Sequence, residues 1–208
     1  MSIANPTKDR FLSDVANHKL SIGMDDGIHR NLRFSIPNSS DMHFNITTWP
    51  GYLCISGDMG CFVFSRVRDM LEFFRNDKLE TNLGYWEEKL QSQTVYGSGA
   101  KSWSAERNLK NMKQIVEDWK EYADEDELDP DFITTELERF KDDFYDLGSE
   151  YDMNISMANW DEVENGINFQ DYESSSQDYT FHYRWCCYAI VWAIQQYDQL
   201  LKESEASA

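Results

Sequence analysis

The sequence predicts an α+β protein, in which a four-stranded antiparallel β-meander with flanking short helices is followed by an acidic C-terminal helical part. Two tight turns between runs of alternating apolar residues mark the meander at 43–65. From residue 104 the apolar period changes from 2 to 3.6 residues, which is typical of amphipathic helices. We therefore expect residues 1–100 to form the sheet part and 101–208 the helical part, as one domain or as two.

The two turns set the register of the meander. Pro50-Gly51 forms the first turn and residues 57–60 the second, because Gly tolerates positive φ and Pro presets its own φ. If Trp49 pairs with Tyr52, and Gly57 with Gly60, all the apolar residues share one face: Phe44, Ile46, Leu53, Ile55, Phe62 and Phe64. A slip of one residue would scatter them, so we expect this face to be buried.

Flanking segments extend the sheet part. A turn signal at 25–27 precedes a predicted strand with alternating Leu32, Phe34 and Ile36. A short helix is expected over about 6–18, with Asn5 as its N-cap and Pro6 at its first position. Asp69 is the predicted cap of a second helix, and we expect that helix to cover the apolar face of the sheet.

The opposite face carries polar and small residues: Arg33, Ser35, His43, Asn45, Thr47, Cys54, Ser56 and Cys61. With Asp58, the His and Cys residues suggest a nucleophile and base, so an enzyme using this face is an alternative. Antiparallel sheets often have one solvated face, which explains the same residues without chemistry. The spacing of the four cysteines matches neither paired zinc ligands nor a disulfide framework, and we expect them to be reduced in a cytoplasmic protein.

The charge is divided unevenly along the chain. The net charge is −19, yet residues 1–110 hold 13 acidic and 13 basic residues. Residues 111–208 hold the other 25 acidic residues and only 6 basic ones. Solubility is one explanation, since many cytosolic proteins are acidic. Confinement of the charge to one half of the chain strengthens the alternative, which is an anionic surface for a cationic partner.

Two amphipathic helices are predicted in the acidic part. The first has the apolar seam Ala105, Leu109, Met112, Val116, Trp119 and Ala123, and the second Ile133, Leu137, Phe140, Phe144 and Leu147. Asp129-Pro130 begins the second helix and Gly148 ends it. The short connection forces an antiparallel hairpin. Apolar residues between 160 and 169 suggest a further short helix, and the segment 181–201 is apolar almost all round, which predicts a buried central helix.

The acidic residues of this hairpin are the candidate partner-binding site: Glu117, Asp118, Glu121, Asp124, Glu125, Asp126, Glu127, Asp129, Asp131, Asp142, Asp143 and Asp146. A calcium-binding loop starting at Asp124 is an alternative that fits poorly, because Leu128, Asp129 and Thr135 fall where an oxygen ligand, a Gly and a bidentate Glu belong. We predict no catalytic residue, no cofactor and no metal.

Residues 17–75 resemble an uncharacterised family of small proteins encoded by tailed bacteriophages and prophages. The segments TWPGYLCISGDMG and DMLEFFR carry the resemblance. It implies expression inside an infected bacterium, often among accessory genes, and it provides no catalytic residue. Small acidic phage proteins in that setting are frequently inhibitors of host defence, including anti-CRISPR and anti-restriction proteins that imitate DNA.

The expected function is therefore inhibition of a bacterial defence system by an acidic, DNA-mimicking surface that binds a basic nucleic-acid-binding surface of a host protein. Direct binding to nucleic acid is not expected, because phosphates would be repelled. No apolar run approaches the ~20 residues of a membrane span, and the first residues lack the apolar core of a signal peptide, so we expect the host cytoplasm. The alternatives are an enzyme and a phage structural or assembly protein.

Overall fold

The computed structural model describes residues 6–94, 99–169 and 175–206. The chain forms an α+β fold, which confirms the predicted mixed class. It divides into two compact units. Unit 1 contains residues 1–101 and 179–208, and unit 2 contains residues 102–178.

In chain order the elements are α1 (Lys8–Val15), β1 (Lys19–Asp26), β2 (His29–Ser35), β3 (Phe44–Trp49), β4 (Tyr52–Gly57), β5 (Gly60–Ser65), α2 (Met70–Phe74), α3 (Leu83–Glu87), β6 (Leu90–Gln93), β7 (Lys101–Trp103), α4 (Ala105–Glu125), α5 (Pro130–Phe144), α6 (Glu150–Asn159), β8 (Gln177–Tyr179) and α7 (Phe181–Ala206). The chain leaves unit 1 in β7 and returns in β8, and these two strands pair.

The sheet of unit 1 is wider than predicted. It has six strands in the order β1 to β6, each pairing antiparallel with the next, so the predicted four-stranded meander is an underestimate. Both missed strands lie at the edges. In β1 every side chain is exposed except that of Leu20, which is half-buried, and β6 has only four residues, so neither shows a clear alternation of apolar residues.

The register of the meander is confirmed. Trp49 pairs with Tyr52, and Gly57 with Gly60. The six residues of the predicted apolar face are each at most 1% exposed. The second turn requires glycine at Gly57, because a Cβ there would lie 2.1 Å from the carbonyl oxygen of His43.

Helix α7 packs on this apolar face. The ring of Trp192 lies 5.3 Å from that of Phe34, and the ring of Tyr183 lies 5.4 Å from that of Phe62. The prediction that this helix is buried is confirmed. The sequence groups it with the acidic part, but in the structure it belongs to unit 1, because an apolar pattern shows how much of a helix is buried and not which layer buries it.

The short helices of unit 1 also pack on the sheet. Asp69 caps α2 as predicted, by accepting a hydrogen bond from the amide of Leu71, and Phe74 of α2 contacts Phe64 of the sheet. The N-cap of α1 is Thr7, whose hydroxyl accepts a hydrogen bond from the amide of Arg10. This differs from the prediction, and the predicted cap Asn5 lies outside the described residues.

Unit 2 is built on the predicted hairpin of α4 and α5. Asp129 caps α5, and Met112, Val116, Trp119 and Ala123 form the buried seam of α4. The seam begins later than predicted, since Ala105 is exposed and the buried residue of the first turn is Asn108.

One other prediction for this unit is wrong. Residues 160–169 form no helix; instead α6 precedes them, and Trp160 and Ile167 are buried from irregular backbone. The sequence also predicts a linker around the Gly-Ser segment at 97–102 and an acidic Ser-rich loop at 171–180; residues 95–98 and 170–174 lie outside the described residues. None of the described helices is both long enough and apolar enough to cross a membrane.

Candidate functional site

The candidate site is the acidic surface of unit 2. This unit holds 23 acidic and 6 basic residues, a net charge of −17 out of the −19 of the whole chain. All twelve acidic residues predicted to bind a partner are exposed. The charge that the sequence confines to one half of the chain is thus carried almost entirely by one unit.

The acidic residues of α4 occupy a single face of that helix. At 100° per residue, five of them lie opposite the buried seam: Glu117, Asp118, Glu121, Asp124 and Glu125. They span about 12 Å of helix axis, so neighbouring carboxylates are on average about 3 Å apart along the axis. Lys120 is the one basic residue in this stretch, and its ammonium group lies 3.0 Å from a carboxylate oxygen of Glu117.

This placement of charge opposes the helix dipole. The C-terminal end of a helix carries a partial negative charge, which favours basic residues in the last turn. The last turn of α4 contains no basic residue and ends in Asp124 and Glu125. The connection to α5 adds Asp126, and Glu127 adopts a positive φ of 53°. The local electrostatics of the helix therefore do not explain why these carboxylates are there.

Asp129 has a structural role in addition to its charge. Its carboxylate accepts hydrogen bonds from the amides of Asp131, at 2.9 Å, and Phe132, at 3.2 Å. This is N-capping of α5, at the end of the helix where negative charge is favourable. Asp131 lies in the first turn of α5, where its charge is favourable too.

The structure separates the twelve residues into two groups at opposite ends of the hairpin. The side-chain amide nitrogen of Asn108, in the first turn of α4, lies 3.0 Å from the backbone carbonyl oxygen of Phe144. The end of α5 is therefore beside the start of α4. The loop-end group consists of the nine acidic residues from Glu117 to Asp131. The far-end group consists of Asp142, Asp143 and Asp146. Its first residue, Asp142, lies about 16 Å beyond Asp131 along the axis of α5.

The two groups differ in their surroundings. Exposed Arg107, Lys110 and Lys113 lie on the first three turns of α4, at the same end of the hairpin as the far-end group. The far-end group is therefore part of a surface of mixed sign. The segment 117–131, which carries the loop-end group, contains a single basic residue, Lys120, and that residue is paired with Glu117. The loop-end group is thus mainly negative, whereas the far-end group belongs to a patch of mixed sign.

Glu138 is an exposed acidic residue of α5 that the predicted set does not include. Glu138 lies on the same face of α5 as Asp131 and Asp142, seven residues after the first and four before the second. The helical period that predicts the seam of α5 also predicts this position. Glu138 extends the negative face from the loop-end group toward the middle of α5.

A second acidic residue of α5 has a different role. Glu136 is 3% exposed, and its carboxylate oxygens accept hydrogen bonds from the guanidinium of Arg139, at 3.0 Å each, and from the amide of Ile167, at 2.9 Å. The same guanidinium lies 3.7 Å over the ring of Trp160 and donates to the carbonyl oxygen of Asp161. This carboxylate is paired and buried, so it holds the segment after α6 in place and does not contribute to the surface.

The polar face of the sheet does not assemble the suggested nucleophile and base. The Nδ1 atom of His43 lies 3.0 Å from a carboxylate oxygen of Asp58 and 2.7 Å from the carbonyl oxygen of Ser40. Among the described residues, no hydrogen bond joins His43 to Cys54, whose sulfur lies 3.7 Å from that of Cys61. Burial, and then the nearby Cys61 thiol, raise the pKa of Cys54 to about 12, which opposes the formation of a nucleophilic thiolate.

The acidic residues were also considered as metal ligands, since carboxylates are the ligands that Ca²⁺ prefers. Within residues 6–94, 99–169 and 175–206, no three His, Cys, Asp or Glu side chains converge in a way that suits a metal ion. The carboxylates of the loop-end group form an exposed surface. Such a surface suits contact with a macromolecule better than enclosure of an ion.

The resemblance of residues 17–75 to a phage family has no independent support. It remains a prediction from the two quoted segments. No protein-family model, curated protein or solved structure matches the chain.

Proposed function

We propose that the chain is a phage-encoded inhibitor of a bacterial defence system, of the anti-CRISPR or anti-restriction type, and that it binds a basic nucleic-acid-binding surface of a host protein through the loop-end group. One observation carries the proposal. Nine exposed carboxylates are concentrated at one end of a helical hairpin, and Asp124 and Glu125 among them lie in the last turn of α4, where the helix dipole disfavours negative charge.

The charge density supports mimicry of DNA. Duplex DNA carries one negative charge per ~1.7 Å of its axis, counting both strands. The acidic face of α4 carries about one negative charge per 3 Å, on a single helix. A groove lined with Lys and Arg binds closely spaced phosphates through ion pairs. The same side chains could form ion pairs with the carboxylates of such a helix.

A surface of this kind acts through many weak contacts. An exposed ion pair contributes only ~0–1 kcal/mol, so no single substitution of the loop-end group should abolish binding. Summed over several carboxylates, the attraction speeds association and falls as salt is added. We expect the loop-end group to carry more of this attraction than the far-end group, because the exposed basic residues of the first turns of α4 lie at the far-end group's end of the hairpin.

The test compares three variants in a pull-down from lysate of the bacterial host. The first reverses four residues of the loop-end group to Lys: Glu121, Asp124, Glu125 and Glu127. The second reverses the three residues of the far-end group. The matched control makes the same change of charge at four exposed residues of unit 1: Asp9, Asp41, Asp77 and Glu80.

We expect the native protein to retain a nuclease or another nucleic-acid-binding defence protein, and to lose it as salt is raised. The loop-end variant should lose it already at low salt, the far-end variant should bind more weakly than the native protein, and the control should bind normally. Equal binding by the loop-end variant and the control would refute the mimic. Recovery of virion proteins alone would instead identify a phage assembly component.

A further inference from the structure

Two of the four cysteines lie together on the polar face of the sheet in unit 1. Cys54 is in β4 and Cys61 is in β5, which are neighbouring antiparallel strands. Cys54 pairs with Val63, and Cys61 with Ser56, so the two thiols are diagonal neighbours on one face. Their sulfur atoms are 3.7 Å apart, which is close to van der Waals contact.

The four cysteines differ sharply in their access to solvent. Cys61 is exposed and Cys54 is half-buried, whereas Cys186 and Cys187 are buried in α7. Burial holds the pKa values of both α7 thiols far above the ordinary value, which keeps them protonated. The chain thus has one accessible pair of thiols and one inaccessible pair that serves as an internal reference.

The geometry permits the accessible pair to join. A disulfide requires a sulfur–sulfur distance of about 2.05 Å, so the two sulfurs must approach each other by about 1.7 Å. The two cysteines are diagonal neighbours and not directly opposite, so the backbones of β4 and β5 must draw together slightly in addition to rotation about the Cα–Cβ bonds. The hairpin between these cysteines ends in the turn from Gly57 to Gly60, which can adjust to a small change in twist.

We propose that Cys54 and Cys61 form a surface dithiol that low-molecular-weight disulfides of the glutathione class oxidise to an intramolecular disulfide. This inference does not depend on the proposed function of the acidic surface. It concerns unit 1 alone.

The reaction has two exchange steps. In the first, the Cys61 thiolate attacks one sulfur of glutathione disulfide, whose S–S bond breaks; one glutathione thiolate leaves with the bonding electrons and takes up a proton. In the second, Cys54 loses its proton to solvent and attacks the sulfur of Cys61, which expels the second glutathione thiolate. The two protein thiols are oxidised by two electrons, and glutathione disulfide is reduced to two thiols.

The order of the steps follows from the surroundings of each thiol. Cys61 is the exposed partner, so it meets the oxidant first. The raised pKa of Cys54 comes first from burial and second from the charge of Cys61. That second contribution disappears once Cys61 is held in a neutral mixed disulfide, and the attacking and attacked sulfurs are then neighbours in the same molecule.

The test incubates the full-length protein with glutathione disulfide, followed by alkylation in denaturant and peptide mass mapping. We expect two of the four thiols to be protected, in a single cross-linked peptide pair containing Cys54 and Cys61. Cys186 and Cys187 should be alkylated, which shows that the protein did not unfold during oxidation.

Two variants make the order of steps testable. Cys54→Ser should stop at a stable mixed disulfide on Cys61, because the second thiol is missing. Cys61→Ser should remain largely unmodified, since Cys54 is half-buried and stays protonated. The proposal is overturned if the native protein keeps four free thiols, or if it accumulates only the mixed disulfide on Cys61.

Discussion

The side-chain amide of Asn108 donates a hydrogen bond to the carbonyl oxygen of Phe144 over 3.0 Å, and both residues are fully buried. The carbonyl belongs to the last turn of α5, where intrahelical partners run out. The hydroxyl of Ser176 donates in turn to the side-chain oxygen of Asn108, at 3.0 Å. This buried polar contact fixes the end of α5 beside the start of α4, and so it sets which charges share each end of the hairpin.

Replacing this asparagine should destabilise unit 2. Asn108→Leu leaves a buried carbonyl oxygen without a donor, which costs about 1–3 kcal/mol. Urea denaturation followed by tryptophan fluorescence measures the loss. The control is Lys113→Ala at an exposed position of the same helix, which should change the free energy of unfolding very little. Equal effects of the two changes would mean that the hydrogen bond contributes nothing measurable.

Phe62 tests the register of the meander. Its ring is fully buried and lies 5.4 Å from that of Tyr183 in α7. Phe62→Ala removes this packing and leaves a cavity, so we expect a loss of about 3–5 kcal/mol in the free energy of unfolding. Val63→Ala, on the polar face of the same strand, should cost much less. A smaller loss for Phe62 than for Val63 would contradict the arrangement of the two faces.

Asp69 should make the stability of unit 1 depend on acid. Burial alone would raise the pKa of Asp69, but hydrogen bonds from the Arg30 guanidinium and the Leu71 amide outweigh burial and leave the pKa below its ordinary value. The stabilisation is then complete above the ordinary pKa of 3.8, and is lost as the pH falls from there through the lower pKa of the folded state.

The variant Asp69→Asn isolates this effect, because Asn caps a helix as well as Asp does. The difference in urea midpoint between the native protein and the variant should be constant above about pH 5 and should shrink as the pH falls toward 2. Asp77→Asn, at an exposed carboxylate, serves as the control. If the native and Asp69→Asn curves run parallel over this range, the charge of Asp69 contributes no stability.

The same change of charge at the two ends of α4 should have opposite effects on stability. Asp124→Lys places a positive charge in the last turn, which should raise the free energy of unfolding by about 0.3–1 kcal/mol. Glu106→Lys places it in the first turn and should lower the free energy by a similar amount. Thermal denaturation at low salt measures both shifts, and shifts of the same sign would show that the helix dipole is unimportant here.

Much of the fold follows from periodicity and turn chemistry. The meander register and the hairpin depend on local rules that each segment carries in its own residues. The edge strand β1 and the helix α6 could not be found in this way. The strand exposes almost every side chain, and the residues of α6 show no clear apolar stripe, with Met153 its one fully buried residue.

The buried polar residues were the least predictable feature. Asn108 and Glu136 occupy positions that face the interior of unit 2, although their side chains suggest solvent. Each is buried because it meets a distant partner, the carbonyl of Phe144 in one case and the amide of Ile167 in the other. Such partners are 36 and 31 residues away, beyond any local pattern.

The exposure of the candidate acidic residues is predictable from the helical period. Their division into two groups is not, because the period of one helix does not show which residues of the other helix lie next to it. The antiparallel hairpin is itself predictable from the short connection after Glu125. Its consequence is that Asp142 lies near the start of α4 and its basic residues. Whether the acidic residues of α4 and α5 form one surface can therefore be judged only once the antiparallel arrangement of the two helices is known.

The position of unit 2 in the chain has a consequence for synthesis. Residues 102–178 interrupt unit 1 between Lys101 and Tyr179, and the helix that covers its sheet comes after the interruption. A ribosome therefore completes the acidic hairpin while Phe62 and the rest of the apolar sheet face still lack α7. During that interval the same nascent chain carries a finished, strongly charged unit and an unfinished apolar surface, and like-charge repulsion between neighbouring nascent chains would limit their aggregation.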